Sequence, residues 1–106
     1  MTPEELRQRA IEAYERDLAK KNILTAMESR MTVNYKDGVF IVTPELISFL
    51  NAWHKEIIYM LDAYDVPIQV DADELLYFCK QRWHEVMLEF SIEYEEYKKI
   101  RNAKQL

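Results

Sequence analysis

Apolar residues change their spacing several times along the chain, and each change marks an element. Leu6, Ala10, Ala13, Tyr14 and Leu18 fall on one face at the 3.6-residue period of a helix. Lys20-Lys21-Asn22 interrupts that stripe, and Ile23, Leu24 and Met27 resume it on a rotated face. The pattern predicts a bend or a second short helix there, and an end near Ser29-Arg30. Thr2-Pro3-Glu4-Glu5 is a helix start: the threonine can accept from free amides, proline suits the first turn, and Glu5 can complete a capping box.

From Met31 to Thr43 the period falls to two, around Asp37-Gly38, a dipeptide suited to a two-residue hairpin turn. In that register Lys36 opposes Val39, Tyr35 opposes Phe40 and Val33 opposes Val42. Met31, Val33, Tyr35, Phe40 and Val42 then share one apolar face. Gly38, the only glycine, is expected to supply a positive φ.

Thr43-Pro44-Glu45 repeats the cap-and-proline start. Leu46, Leu50, Trp53, Ile57, Leu61 and Tyr64 continue at helical spacing, widened by Ile47, Phe49, Ile58 and Met60, which predicts a central core helix. Val66, Ile68 and Val70 alternate around Pro67, as in a short edge strand or an extended linker. Asp71 and Glu74 offer another capping box, opening a long helix to about Ala103. Along it Leu76, Trp83, Phe90 and Tyr97 recur every seven residues, with Cys79, Val86 and Ile100 between them.

These elements give a mainly helical α+β fold with a β-hairpin, a short third strand and a long C-terminal helix, expected as a single domain over residues 1–106. A content of 49% hydrophobic residues suffices for one core. Glu45-Leu46-Ile47 with Phe49 and Trp53-His54 echoes Glu74-Leu75-Leu76 with Phe78 and Trp83-His84, which raises the prospect of an internal repeat. The offset shifts from 29 to 30 residues between the matched groups, and capped amphipathic helices resemble one another without relationship.

A net charge of −5 argues against attraction to phosphate backbones, so a nucleic-acid partner is not expected. Arg7, Arg9, Arg16, Lys20 and Lys21 cluster in the first helix, but Glu5, Glu12, Glu15 and Asp17 are interspersed. No apolar run approaches the roughly 20 residues that span a bilayer, and the first residues do not read as a secretory signal. Cys79 is the only cysteine, so no intramolecular disulfide can form, which suits a soluble protein in a reducing, cytoplasmic setting.

Little in the sequence points to catalysis. One glycine is too few for a phosphate-binding loop or a dinucleotide fingerprint, and no G-x-S-x-G surrounds Ser29, Ser48 or Ser91. His84-Glu85 begins the zinc motif H-E-x-x-H, but Leu88 stands where the second histidine belongs. His54, Asp71, Asp73, Cys79 and His84 would form a metal cluster only if two helices and a cap converged, and no metal or cofactor is expected. Ordinary roles suit them better, with the aspartates at a helix start and Cys79 as a small core side chain.

Protein association is the expected function, as a small homo-oligomer or an accessory subunit. A helix from Asp71 to Ala103 would extend about 48 Å, against a diameter of roughly 34 Å for a compact domain of this length. Its end should therefore overhang, leaving Tyr94, Tyr97 and Ile100 as the candidate interface. The alternatives are an enzyme without a familiar motif and a domain binding a small apolar or metal ligand. The latter would use a pocket near Trp53, His54, Trp83 and His84, between the two aromatic-rich helices.

Overall fold

The computed structural model describes the backbone of residues 2–105 and the side chains of residues 2–100. In order, the elements are α1 (Pro3–Arg30), β1 (Thr32–Tyr35), β2 (Gly38–Ile41), α2 (Pro44–Ala52), β3 (Ile57–Leu61), β4 (Pro67–Asp71) and α3 (Ala72–Gln105). The fold is α+β and mainly helical, with two small antiparallel hairpins and a long C-terminal helix. The chain divides into two compact units, one of residues Ser29–Met87 and one made of α1 as far as Glu28 with α3 from Leu88 onward.

In the helical unit, the amide of Glu5 donates to Thr2 Oγ1 (3.2 Å) and the amide of Thr2 donates to Glu5 Oε2 (3.3 Å), the reciprocal box anticipated above. α1 then continues unbroken through Lys20–Asn22, so the interrupted stripe does not split the helix. Its half-buried positions include Ala13, Arg16, Ala19, Ile23 and Met27, while Leu6, Tyr14 and Leu18 are exposed. No residue of α1 is fully buried.

The other unit holds the core, with Leu50, Val70, Leu75 and Cys79 fully enclosed. In the first hairpin Thr32 pairs with Ile41, Val33 with Phe40, Asn34 with Val39 and Tyr35 with Gly38. The turn residues are therefore Lys36-Asp37, one position earlier than expected, and Lys36 carries the positive φ of 52°. Moving the turn by one residue changes the sum of paired positions by two, so every side chain keeps its face. Met31, Val33, Tyr35, Phe40 and Val42 are accordingly all buried together.

Gly38 has no positive φ. Its role is space: a Cβ there would lie 2.9 Å from Ile68 Cγ1 and 3.0 Å from Phe40 Cε2, so the hairpins approach too closely for a side chain.

The expected helix from Pro44 to Tyr64 is corrected to a short helix followed by a strand. Thr43 Oγ1 accepts from the amide of Leu46 (3.0 Å) and starts α2, which stops at Ala52. Lys55 then turns to a φ of 67°, and its amide donates to Asp73 Oδ1 (3.1 Å). Ile57–Leu61 pairs with Pro67–Asp71, Ile58 opposite Val70 and Met60 opposite Ile68. A short apolar run carries no decisive period of its own, and here the partner strand decides.

The second hairpin turns through Ala63-Tyr64-Asp65, with Asp65 at φ 60° and its amide bonded to the Asp62 carbonyl (3.1 Å). This is the three-residue loop with a left-handed third position. The Asp62 carboxylate organises it: Oδ1 accepts from the amides of Tyr64 and Val66 (both 2.9 Å), and Oδ2 accepts from the amide of Val39 on β2 (3.1 Å). Asp71 caps α3, its Oδ1 accepting from the amides of Asp73 (3.1 Å) and Glu74 (3.4 Å). A hairpin followed by a capped helix thus occurs twice. The caps Thr43 and Asp71 stand 28 positions apart, so the matched residues of the sequence echo, offset by 29 and 30, are not in equivalent places.

Candidate functional site

The four residues proposed to line a pocket are dispersed, because α2 ends before two of them. Trp53 is the C-terminal cap of α2, with its ring against Phe49 at 6.3 Å between centroids, and is 42% exposed. His54 lies beyond the helix, and its Nδ1 is 2.8 Å from Asp73 Oδ1. Trp83 is half-buried in an open groove of about 460 Å³ between α2 and α3, with Pro44, Ile47, Ser48, Asn51 and Lys80. His84 belongs to a different surface of α3, beside Tyr77, Gln81 and Glu85. The groove contains Trp83 alone of the four.

His54 and Asp73 form an imidazole–carboxylate pair that orients the ring. The Asp73 carboxyl is held below the usual carboxylate range, first by the amide of Lys55 and then by the hydrogen bond and charge of His54, against an opposing effect of desolvation. Among the described residues, the side-chain partner of His54 is Asp73, with no hydroxyl or thiol bonded to its ring. Asp71 is committed to the α3 cap, and Cys79 is enclosed in the core, where burial pushes its thiol up to about 11. Among the described residues, no three His, Cys, Asp or Glu side chains are grouped to hold a metal ion.

The aromatic residues proposed as an interface lie in the helical unit. Phe90, Tyr94 and Tyr97 form a ladder with ring centroids 6.0 and 5.9 Å apart. Tyr94 and Tyr97 are half-buried, and the Tyr97 hydroxyl donates to the carbonyl of Arg16 on α1 (3.2 Å). Part of this ladder is therefore engaged within the chain. Ile100 remains exposed.

The larger exposed apolar surface lies on residues that the sequence reading assigned to a core or did not single out. On α1, Ile11, Tyr14 and Leu18 recur at helical spacing on the side away from half-buried Ala13, Arg16 and Ile23. On α3, Leu88 and Ile92 do the same. In β3 the outward residues Ile57, Tyr59 and Leu61 are 66%, 73% and 56% exposed. The run Ile57-Ile58-Tyr59-Met60-Leu61 is apolar throughout, so no alternation in the sequence marks its outward residues.

Among the described residues, no helix is long and apolar enough to cross a membrane. Comparisons of the chain with protein-family models, with curated proteins and with solved structures return no match.

Proposed function

We propose that this protein works by association with other protein chains, foremost with copies of itself, as a small homo-oligomer or accessory subunit. The observation that carries the reading is α1: a helix of 28 residues with no buried position and with Leu6, Ile11, Tyr14 and Leu18 exposed. Helices in water gain most of their stability by burying an apolar face. At about 25 cal/mol per Å² of apolar surface removed from water, covering such side chains is a substantial driving force for assembly. A cytoplasmic setting is part of this reading, supported by the single cysteine, which is enclosed and unpaired. The ligand-pocket reading has weaker support, because Trp83 and His84 line different grooves of α3 and His54 lies beyond α2 against Asp73.

Sedimentation equilibrium from low micromolar to near-millimolar protein tests the proposal. A reversible rise in weight-average mass is expected, and a monomer throughout would refute self-association.

A further inference from the structure

Resting on that reading, we infer that β3 is the dimerisation edge. Ile57–Leu61 of one copy pairs antiparallel with Ile57–Leu61 of a second, and Tyr59 meets Tyr59 on the two-fold axis.

The ladder shows which backbone groups are free. Asp62 donates its amide to the Val66 carbonyl (2.9 Å), and Ala72 donates its amide to the Glu56 carbonyl (3.1 Å). These bonds bracket β3 and set its alternation: Ile58 and Met60 turn their amides and carbonyls toward β4, while Ile57, Tyr59 and Leu61 turn theirs away. No backbone bond from elsewhere among the described residues reaches that outer edge.

The opposite edge of the same sheet is obstructed at each outward position. Along β4 the outward positions are Pro67, Gln69 and Asp71. Pro67 has no amide hydrogen, the Gln69 carbonyl accepts from Lys36 Nζ (3.1 Å), and the Asp71 amide donates to the Tyr35 hydroxyl (3.3 Å). The outer side of β2 is satisfied at Val39, whose amide bonds Asp62 Oδ2 and whose carbonyl accepts from the Ala63 amide (2.8 Å). Of the two edges of the β3–β4 sheet, β3 is therefore the one that no side chain and no proline obstructs. Pairing through it closes after two copies instead of propagating.

β3 also lacks the features that keep an edge strand solitary. Ile57-Ile58-Tyr59-Met60-Leu61 contains no charge and no proline, and its ladder with β4 runs from Ile57 to Leu61 without a bulge. A second copy matches it in register. With outward positions opposed, Ile57 faces Leu61 of the other copy, Tyr59 faces Tyr59, and all these side chains share the exposed face. The same register brings Lys55 of each copy alongside the Ala63–Asp65 turn of the other, a basic side chain next to the Asp65 carboxylate, twice by symmetry. Three half-exposed side chains and a strand edge amount to roughly 400 Å² per copy, and about 800 Å² in total is the size of a weak, exchanging complex.

Cysteine trapping in the full chain tests the register, with buried Cys79 left in place. Under mild oxidation, Tyr59→Cys alone should give a covalent dimer. Ile57→Cys and Leu61→Cys should each link poorly alone, being offset across the axis, yet link efficiently when mixed. Absence of the Tyr59→Cys dimer, or mixing without effect, would overturn the inference. Tyr59→Lys sets two like charges face to face at the axis, so the dimer dissociation constant should rise about 100-fold or more, while thermal unfolding in dilute, monomeric protein should stay unchanged. A native protein that is monomeric at every concentration would sink both the association reading and this interface. A native dimer that Tyr59→Lys leaves equally tight would sink the β3 interface alone.

Discussion

The two hairpins have strands of similar length and differ in what the rest of the chain does with them. In the first, one face is wholly buried through Val33, Tyr35 and Phe40, and the outer edge of β2 is satisfied at Val39. In the second, β4 is buried through Ile68 and Val70 and is bonded at its outer edge through the Gln69 carbonyl and the Asp71 amide, while β3 keeps both an exposed apolar row and unpaired backbone groups. The contrast teaches that exposure of apolar residues is informative when it coincides with unpaired backbone on the same element, because each alone is common on protein surfaces.

Removing the joint between the hairpins should have the largest effect. Asp62→Ala leaves the amides of Val39, Tyr64 and Val66 without their carboxylate, and the melting temperature should fall by on the order of 10 °C, as read by circular dichroism. The Asp62 carboxyl is held below the usual range, chiefly by the Val66 amide with those of Val39 and Tyr64, while its own burial acts in the opposite direction. A lowered folded-state pKa makes this contribution fully present above the ordinary carboxylate value and lost as pH falls through the folded value. Stability should thus decline below about pH 4, and the Asp62→Ala protein should show a shallower decline. An equally steep acid limb in the variant would place the titrating group elsewhere, Asp73 being the next candidate.

Gly38→Ala sharpens the comparison at the point where the hairpins touch. A methyl group 2.9 Å from Ile68 Cγ1 should cost roughly 1–3 kcal/mol by overpacking, measured by urea denaturation. Unchanged stability would mean that Ile68 and Phe40 yield freely. In the helical unit, Tyr97→Phe removes the hydroxyl that reaches the Arg16 carbonyl and should cost about 0.5–1.5 kcal/mol. The loss should appear in hydrogen exchange of α1 and leave the hairpin amides unaffected. The smallest change is expected from Asp65→Gly, which relieves a left-handed conformation at φ 60° and should stabilise by up to about 1 kcal/mol; destabilisation would show that the aspartate side chain supports the turn.

What was legible in the sequence was local. The Thr2–Glu5 box, the Thr43 and Asp71 caps and the buried face of the first hairpin follow from neighbouring residues, and the structure contains each. The misread features depend on distant partners. The run from Ile57 to Leu61 fits a helical stripe as well as a strand, and pairing with Pro67–Asp71 decides between them. Gly38 sits beside a turn, but its need for a missing side chain comes from Ile68, thirty positions away. The expected pocket depends on the same helix: with α2 ending at Ala52, Trp53 and His54 lie beyond the helix face that would have turned them toward Trp83 and His84. The spacing of Tyr94 and Tyr97 along α3 gives no sign of the Arg16 carbonyl on α1 that the Tyr97 hydroxyl reaches.

Amide hydrogen exchange, read residue by residue across a range of protein concentrations, tests the central claim most directly. The amides of Ile58 and Met60 are committed to β4, so their protection should not depend on concentration. The amide of Tyr59 points out of the open edge; it should exchange freely in dilute protein and become protected as the dimer forms, together with those of Ile57 and Leu61. A Tyr59 amide that stays unprotected while sedimentation shows the protein to be oligomeric would contradict the account.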